Sequence, residues 1–437
     1  MAASGLSAQA STRFWREERF RTTALLGGAR ALSAILSFVA MTVAARSVGA
    51  AGLGAYAFAI GVQAYVAHIS EFGLRPAVTA AVAARPDQRS TLAKAYVLTR
   101  LALAVPAIFL ALAVLAAAAP DRLTLNALVM PSVIGIALLT DWLLIIDGRF
   151  ASAGAVQVAR PGVYLLLIAA IATQNDLQAT HLAVAFSLSW LIVALWCWWL
   201  ARPGLRLRET EWRLQVPALF RAGKPLLAVT LLSQALLTLD LLVVATVLDD
   251  VSAGRYALAS GIIGAGLVFA HAFQQTALPR YARAFALGET PPLGADIALI
   301  SCLALGGAIA CLSLSPWMVP LVFGAEFEPA IAILIGLLPT FAIYHVNAVL
   351  IARATADTKR RHLVRAHLWA VAALGIGLLV FAFWELLAIA VAARFIGELS
   401  RFVGLLGSLK PDERAQTVRA AWPSLAAVLV SGAWLAW

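Results

Sequence analysis

The chain has 437 residues, of which 62% are apolar and 13% are charged, and its formal net charge is +11. Soluble globular domains are usually about 45–50% apolar and about 25% charged. The composition therefore excludes a soluble globular enzyme and a disordered tail, and it predicts that most of the chain lies in lipid.

Runs of about 20 mostly apolar residues, the length that a bilayer-spanning helix needs, recur along the chain. The first six lie at 24–46, 54–74, 97–119, 126–147, 155–173 and 180–200. Six more follow a charged stretch, at 225–248, 255–278, 295–320, 329–352, 366–383 and 386–407. A short thirteenth run lies at 421–437. Because a lone strand cannot satisfy its backbone in lipid, the prediction is an all-α polytopic membrane protein with twelve transmembrane helices, or thirteen if the last run also spans.

Basic residues occupy every second loop, and this pattern indicates the orientation of the chain. Outside these loops lie Arg30, Arg46, Arg122 and Arg255. The pattern assigns Arg160, Arg394 and Arg401 to loops, and it predicts that the N-terminal segment, 1–23, is cytoplasmic. The charge of +11 is therefore attributed to membrane topology, and nucleic acid is not an expected partner.

Two similar motifs divide the chain into halves. Residues 54–61 (GAYAFAIG) follow the first run, and residues 254–261 (GRYALASG) follow the seventh, with five of eight positions identical. Chance similarity in an Ala- and Gly-rich chain is a rival explanation. An even number of runs in each half predicts two six-helix lobes related by a pseudo-twofold axis along the membrane normal. The predicted divisions are an N-terminal segment 1–23, an N-lobe 24–200, a cytoplasmic amphipathic linker 201–224, a C-lobe 225–407 and a basic segment 408–437 that contains the thirteenth run.

Signatures of catalysis are weak. The pair Gly223-Lys224 lacks the rest of a Walker A motif, so ATP hydrolysis is not expected. The cysteines lie in apolar runs without a CxxC pattern or a Cys/His cluster, so neither a metal site nor another cofactor is expected. The sequence therefore favours a transporter over an enzyme.

Polar side chains at membrane depth are the candidate functional residues, because each costs about 2.5–3.5 kcal/mol at the centre of a span and needs a partner, a cavity or a function. The cationic candidates are Arg30, Arg75 and Arg280. The candidates for ion coupling or for lining a cavity are Glu71, Asp141, Asp240, Gln234, His271 and Gln274.

Structural explanations compete with these roles. Glu71 and Arg75 are four residues apart, so an ion pair on one helix face is a simple alternative. Arg75 and Arg280 can also extend to the lipid headgroups, and His271 can be a packing residue. The residues with the strongest case for facing a cavity are Arg30, Asp141 and Asp240.

Five short features of the sequence carry a resemblance to a known family: 45–49 (ARSVG), 71–75 (EFGLR), 219–226 (LFRAGKPL), Asp240 and 254–256 (GRY). With the arrangement of runs, they make residues 20–407 resemble the polysaccharide (O-antigen type) flippase family of the multidrug/oligosaccharidyl-lipid/polysaccharide exporter (MOP) superfamily. The run at 421–437 departs from the twelve-span pattern of that family.

The resemblance implies that undecaprenyl-pyrophosphate-linked oligosaccharide crosses the bacterial cytoplasmic (inner) membrane by alternating access. It implies a cavity lined by cations, for which Arg30, Arg75 and Arg280 are the available positions. Coupling to H⁺ or Na⁺ is suspected for the family. The other implied partners are membrane lipids, a polysaccharide polymerase and glycosyltransferases.

Other functions stay open at this stage. A cation-coupled drug or organic-cation antiporter of the same superfamily would need an acidic, aromatic cavity. A polytopic glycosyltransferase or polymerase would need acidic catalytic groups or a large outer loop, and a passive scaffold for polysaccharide synthesis is a further alternative.

Overall fold

The computed structural model describes residues 2–173, 176–203, 211–357 and 360–435, and within these ranges every regular element is helical. The first half contains α1 (Ala2–Glu71), α2 (Leu74–Ala84), α3 (Arg89–Ala118), α4 (Leu123–Val129), α5 (Pro131–Leu138), α6 (Asp141–Ile146), α7 (Phe150–Ala172) and α8 (Ala179–Ala201). The second half contains α9 (Trp212–Val247), α10 (Asp250–Ala286), α11 (Leu293–Phe323), α12 (Ala330–Ala356), α13 (Arg360–Trp384), α14 (Leu387–Leu406), α15 (Pro411–Ala420) and α16 (Trp422–Leu435). In the described part, 10 segments are long and apolar enough to cross a membrane, which confirms an all-α multi-pass membrane protein.

The first two predicted spans form one long helix that is broken at Gly49. The apolar segment Leu25–Ala84 has 60 residues, and a straight helix of that length would extend about 90 Å, roughly three times the hydrocarbon core of a bilayer. Gly49 has φ 69° and ψ −178°, a backbone conformation that residues with a Cβ rarely adopt. The arms of α1, residues 2–48 and 50–71, therefore correspond to the two separate spans predicted at 24–46 and 54–74.

The fourth predicted span consists of three short helices, α4, α5 and α6. Pro131 begins α5, and the backbone is extended at Leu139, between α5 and α6. The carbonyl oxygen of Leu138 accepts a hydrogen bond of 2.5 Å from the Trp198 indole nitrogen on α8. The indole of Trp198 thus supplies a hydrogen bond to a carbonyl group that the break in the helix leaves without a helical partner. Such side-chain hydrogen bonds are how an interrupted helix is tolerated at membrane depth.

Helix α1 runs alongside both α9 and α10. The motifs at 54–61 and 254–261 each begin with a glycine, any residue and a tyrosine (GxY), and these two GxY motifs contact each other where α1 crosses α10. A Cβ added at Gly54 would lie 1.9 Å from the Asp250 carbonyl oxygen. A Cβ added at Gly254 would lie 1.9 Å from the Ala50 carbonyl oxygen. Glycine is therefore required at both positions for the two backbones to approach this closely.

Further contacts join the halves around this crossing, which we call the Gly49 end. The Ala50 amide donates across the halves to the Glu326 carboxylate at 3.2 Å, and within the second half the Arg255 guanidinium donates to the Glu326 carbonyl oxygen at 3.2 Å. Arg122, before α4, forms an ion pair of 2.9 Å with Asp250 at the start of α10. In the structure, the two halves are thus closely packed at this end.

One element differs in position from the sequence-based expectation, and two others match it in position. Helix α9 begins at Trp212, inside the stretch predicted as a linker, while residues 204–210 of that stretch lie outside the described part. Helix α14 coincides with the twelfth predicted span, but it carries three buried charged residues and is absent from the 10 apolar segments of the described chain. Helix α16 has 14 residues, about 21 Å of helix, and packs against α11 and α12.

Candidate functional site

A cavity of about 550 Å³ lies at the end of the helices opposite the Gly49 end. Its position follows from α1, because Arg30 is about 28 Å of helix away from Gly49 along the first arm. Arg30, Arg75 and Arg160 all line the cavity, and we call it the arginine cavity. These arginines are distant in sequence, and the reversal of the chain at Gly49 brings Arg30 and Arg75 to the same level.

Each arginine of the cavity has a different partner. Arg75 forms an ion pair of 2.7 Å with Asp141. Arg30 donates a hydrogen bond to the amide oxygen of Gln275 on α10, in the second half of the chain. The Arg160 guanidinium lies 5.1 Å from the centre of the Trp190 ring, within the range of a cation–π contact. Of the described lining residues, Asp141 is the one acid, so the cavity carries a net positive charge.

The local backbone explains the position of Arg75. Helix α1 ends at Glu71, and the next two residues, Phe72 and Gly73, have positive φ angles of 49° and 66°. A Cβ at Gly73 would lie 2.7 Å from the Gly223 carbonyl oxygen, so this turn packs directly on α9. The turn separates Arg75 from the helix that carries Glu71. The suggested ion pair on one helix face is therefore wrong, and Arg75 reaches Asp141 instead.

Glu71 and Gln234 share a neighbour on the second arm of α1. The Glu71 carboxylate lies 3.9 Å from the Nδ1 atom of His68. The Nε2 atom of the same ring lies 3.1 Å from the amide oxygen of Gln234. The amide nitrogen of Gln234 donates to the Thr238 hydroxyl at 3.1 Å. Neither Glu71 nor Gln234 lines one of the described cavities.

Arg280 and Asp240 also lie outside the arginine cavity. Arg280 pairs with Asp296 at 2.6 Å, and Tyr281 donates to the same carboxylate oxygen at 2.5 Å. Asp240 has no exposed surface, and its carboxylate accepts hydrogen bonds from Tyr256 at 2.5 Å and from Arg394 at 2.9 Å. In this conformation Asp240 therefore faces protein and not a cavity.

His271 and Gln274 line a second cavity, of about 780 Å³, between α9, α10, α12, α13 and α14. The Nε2 atom of His271 lies 2.9 Å from the Tyr344 hydroxyl, which lines the same space. Gln274 and Gln275 are adjacent on α10, yet the first lines this second cavity and the second lines the arginine cavity. Helix α10 therefore lies between the two spaces.

Several arginines that the loop pattern counted as loop residues lie within helices. Arg160 is in the middle of α7, and Arg394 and Arg401 are buried in α14, so their assignment to loops is wrong, as the predicted spans 155–173 and 386–407, which contain them, already implied. Arg401 pairs with Glu398, and Asn347 donates to that carboxylate at 2.9 Å. The spacing of Arg394, Glu398 and Arg401 within an apolar run was the available signal, because charges at such positions need partners in the protein.

Comparison with solved structures defines the class of fold. The structure of the lipid II flippase MurJ in an inward closed conformation matches with a TM-score of 0.73 and 15% identity, covering 93% of this chain and 92% of that chain. An inward-facing multidrug resistance transporter of the MATE family matches with a TM-score of 0.69 and 15% identity, covering 89% and 95%. A transporter from Pyrococcus furiosus, described as having a binding pocket of reverse polarity, matches with a TM-score of 0.62 and 14% identity, covering 92% and 96%. The chain therefore shares its fold with these solved structures.

Comparison with protein families is more specific. Residues 20–285, more than half of the chain, match the family described as polysaccharide biosynthesis protein. The chain belongs to this family, which confirms the resemblance seen in the sequence. A search of the curated proteins finds no match.

Proposed function

We propose that the protein moves undecaprenyl-pyrophosphate-linked oligosaccharide across the bacterial cytoplasmic membrane by alternating access. The observation that carries the proposal is the arginine cavity, where Arg30, Arg75 and Arg160 surround a space with one described acid. A pyrophosphate diester bears about two negative charges, and the planar guanidinium group binds phosphate oxygens through paired hydrogen bonds. The surplus of positive charge matches this headgroup.

The cavity also offers acceptors for sugar hydroxyls. Ser33 and Gln157 line it and carry a hydroxyl and an amide group that can hydrogen bond with such hydroxyls. Each hydroxyl without a partner costs several kcal/mol in hydrocarbon, so a polar cavity lowers the barrier to moving a glycan across the membrane.

The proposed cycle uses the two lobes predicted from the sequence, 24–200 and 225–407, as the moving units. With the N-terminus in the cytoplasm, the arginine cavity receives the headgroup from the inner leaflet, and separation of the halves at the Gly49 end releases it outside. An inside-negative potential favours this movement by about 2.3 kcal/mol per charge per 100 mV. Glycosyltransferases that build the glycan and a polymerase that consumes it are the proposed partners.

A drug or organic-cation antiporter would need an acidic cavity. Asp141, the one acid among the described lining residues, is already bound to Arg75, which leaves Arg30 and Arg160 in excess. The charge of the cavity therefore favours an anionic substrate over a cationic one.

The test is reconstitution of the full chain in vesicles with fluorescent undecaprenyl-pyrophosphate-linked oligosaccharide, measuring how fast the label reaches the other leaflet. Arg30→Gln is the informative variant, because its partner is the neutral Gln275 and its removal leaves no acid unpaired. We expect Arg30→Gln to slow translocation at least tenfold, and the matched variant Arg85→Gln, at an exposed position outside the described cavities, to leave the rate unchanged. Equal rates for the wild type and Arg30→Gln, or efflux of an organic cation that depends on Asp141, would refute the proposal.

A further inference from the structure

The second cavity differs from the arginine cavity in the character of its wall. Half of its lining residues are apolar or aromatic, among them Val229, Leu237, Ile351 and Val364. Its volume of about 780 Å³ lies within the range of about 300–1,000 Å³ that is typical of ligand pockets.

Two unpaired cations stand at one edge of this space. Arg361 and Arg365 line the second cavity, are four residues apart near the start of α13, and are exposed. Neither has an ion pair or a hydrogen bond from its side chain to any other residue that the structure describes. Arg401 lines the cavity too, but Glu398 neutralises it. The described lining contains no acid, so the edge carries two free positive charges.

The second cavity and the arginine cavity are lined by different residues. Helix α10 lies between them, with Gln274 facing one and Gln275 facing the other. The start of α13 belongs to the end of the helices that carries most of the basic residues of the chain. A basic pocket between transmembrane helices at this level is typical of sites for anionic lipid headgroups.

We propose that the second cavity binds an anionic phospholipid from the surrounding leaflet, with its phosphate on Arg361 and Arg365 and one acyl chain along the apolar wall. The ligand needs both parts, because a free phosphate would leave the apolar wall empty and a neutral lipid would leave the two arginines unpaired. This site is separate from the proposed passage for the oligosaccharide and does not depend on it.

The experiment is native mass spectrometry of the purified full chain, titrated with phosphatidylglycerol or with phosphatidylcholine of the same acyl chains. Arg361→Gln/Arg365→Gln removes the headgroup contacts, and Arg85→Gln/Arg283→Gln is the matched control, with the same loss of charge at exposed positions outside the described cavities. We expect the first double variant to bind phosphatidylglycerol about 30-fold more weakly, equivalent to about 2 kcal/mol at 1.4 kcal/mol per tenfold change, and the control to bind as the wild type does.

A second variant separates binding in the cavity from attraction to a charged surface. Val229→Trp narrows the apolar wall and keeps both arginines, so it should also weaken phosphatidylglycerol binding at least tenfold. Thermal unfolding without added lipid shows whether each variant is folded, and binding is compared only among folded variants. If Val229→Trp does not fold, Leu237→Trp replaces it as the variant of the apolar wall. Equal binding of the two lipids, full binding by the wall variant, or displacement of phosphatidylglycerol by equimolar undecaprenyl phosphate would overturn the proposal.

Discussion

One added methyl group at Gly254 tests whether the contact between the two GxY motifs closes the Gly49 end. In Gly254→Ala the new Cβ would start 1.9 Å from the Ala50 carbonyl oxygen, whereas real Cβ contacts are essentially never under 3.0 Å. The neighbouring atom belongs to the backbone, so no side-chain rotation relieves the clash. Helices α1 and α10 must therefore move apart.

The expected magnitude follows from the cost of overpacking. An extra carbon in a well-packed contact typically costs about 1–3 kcal/mol. This cost applies to conformations in which the Gly49 end is closed and disappears when the halves separate there. A difference of about 1–3 kcal/mol changes the ratio of the two conformations about 5- to 150-fold.

A cysteine in the arginine cavity reports the change. Ser33→Cys places a thiol in the lining, in a background where Cys197, Cys302 and Cys311 are replaced by alanine. In oriented vesicles with a membrane-impermeant thiol reagent, Gly254→Ala should slow labelling from the side of the arginine cavity and speed labelling from the side of the Gly49 end.

Gly264→Ala on the same helix is the control, because a Cβ there meets nothing within 4 Å. This variant should label as the parent protein does. If Gly254→Ala and Gly264→Ala give the same labelling rates from both sides, the glycine contact does not hold the end closed and the reasoning fails.

Three further outcomes are expected. Arg394→Ala leaves the Asp240 charge buried without its guanidinium, which should lower the free energy of unfolding by about 3–5 kcal/mol, and adding Asp240→Asn should restore most of the loss in a denaturation assay. Asp249 caps α10, and a backbone N–H in the first turn donates to its carboxylate at 2.7 Å, which lowers the pKa of Asp249. Asp249→Ala should therefore cost about 1 kcal/mol at neutral pH, with the difference from wild type, seen in melting temperature, present above pH about 4 and lost as pH falls through the lowered pKa. Asp141→Asn removes the competing carboxylate of the arginine cavity, so it should tighten binding of undecaprenyl pyrophosphate, and weaker binding in an equilibrium titration would contradict the assigned polarity.

The spans of this protein were largely predictable from its sequence, because each apolar run must be long enough to cross the lipid core. The separation of the first two spans was predicted from the runs at 24–46 and 54–74, and the structure places the break at Gly49; the motifs at 54–61 and 254–261 indicated two similar halves. That the two motif glycines contact each other was not predictable, since it depends on how α1 and α10 cross.

The pairing of charges was much less predictable. Sequence spacing offered Glu71 as the partner of Arg75, but the turn at Phe72 and Gly73 redirects Arg75 to Asp141. The loop pattern counted Arg160 with the loop cations although it lies in the predicted span 155–173, because a pattern that sorts cations by loops cannot distinguish a cation at a helix end from one that faces a cavity. The partner of a buried charge is selected by tertiary packing, which the order of residues alone does not specify.

The environment of Asp240 bears on how transport could be coupled to an ion. A cation that bound Asp240 would have to displace Arg394, and removing one partner of a buried ion pair costs about 3–5 kcal/mol. In this conformation Arg394 thus occupies the position that a coupling ion would need. Glu71 lies beside His68, its side chain is 28% exposed, and it forms no ion pair with an arginine in the described part of the chain. If a proton or Na⁺ contributes to the return of the empty transporter, His68 and Glu71 on the second arm of α1 are therefore a better binding site for that ion than Asp240.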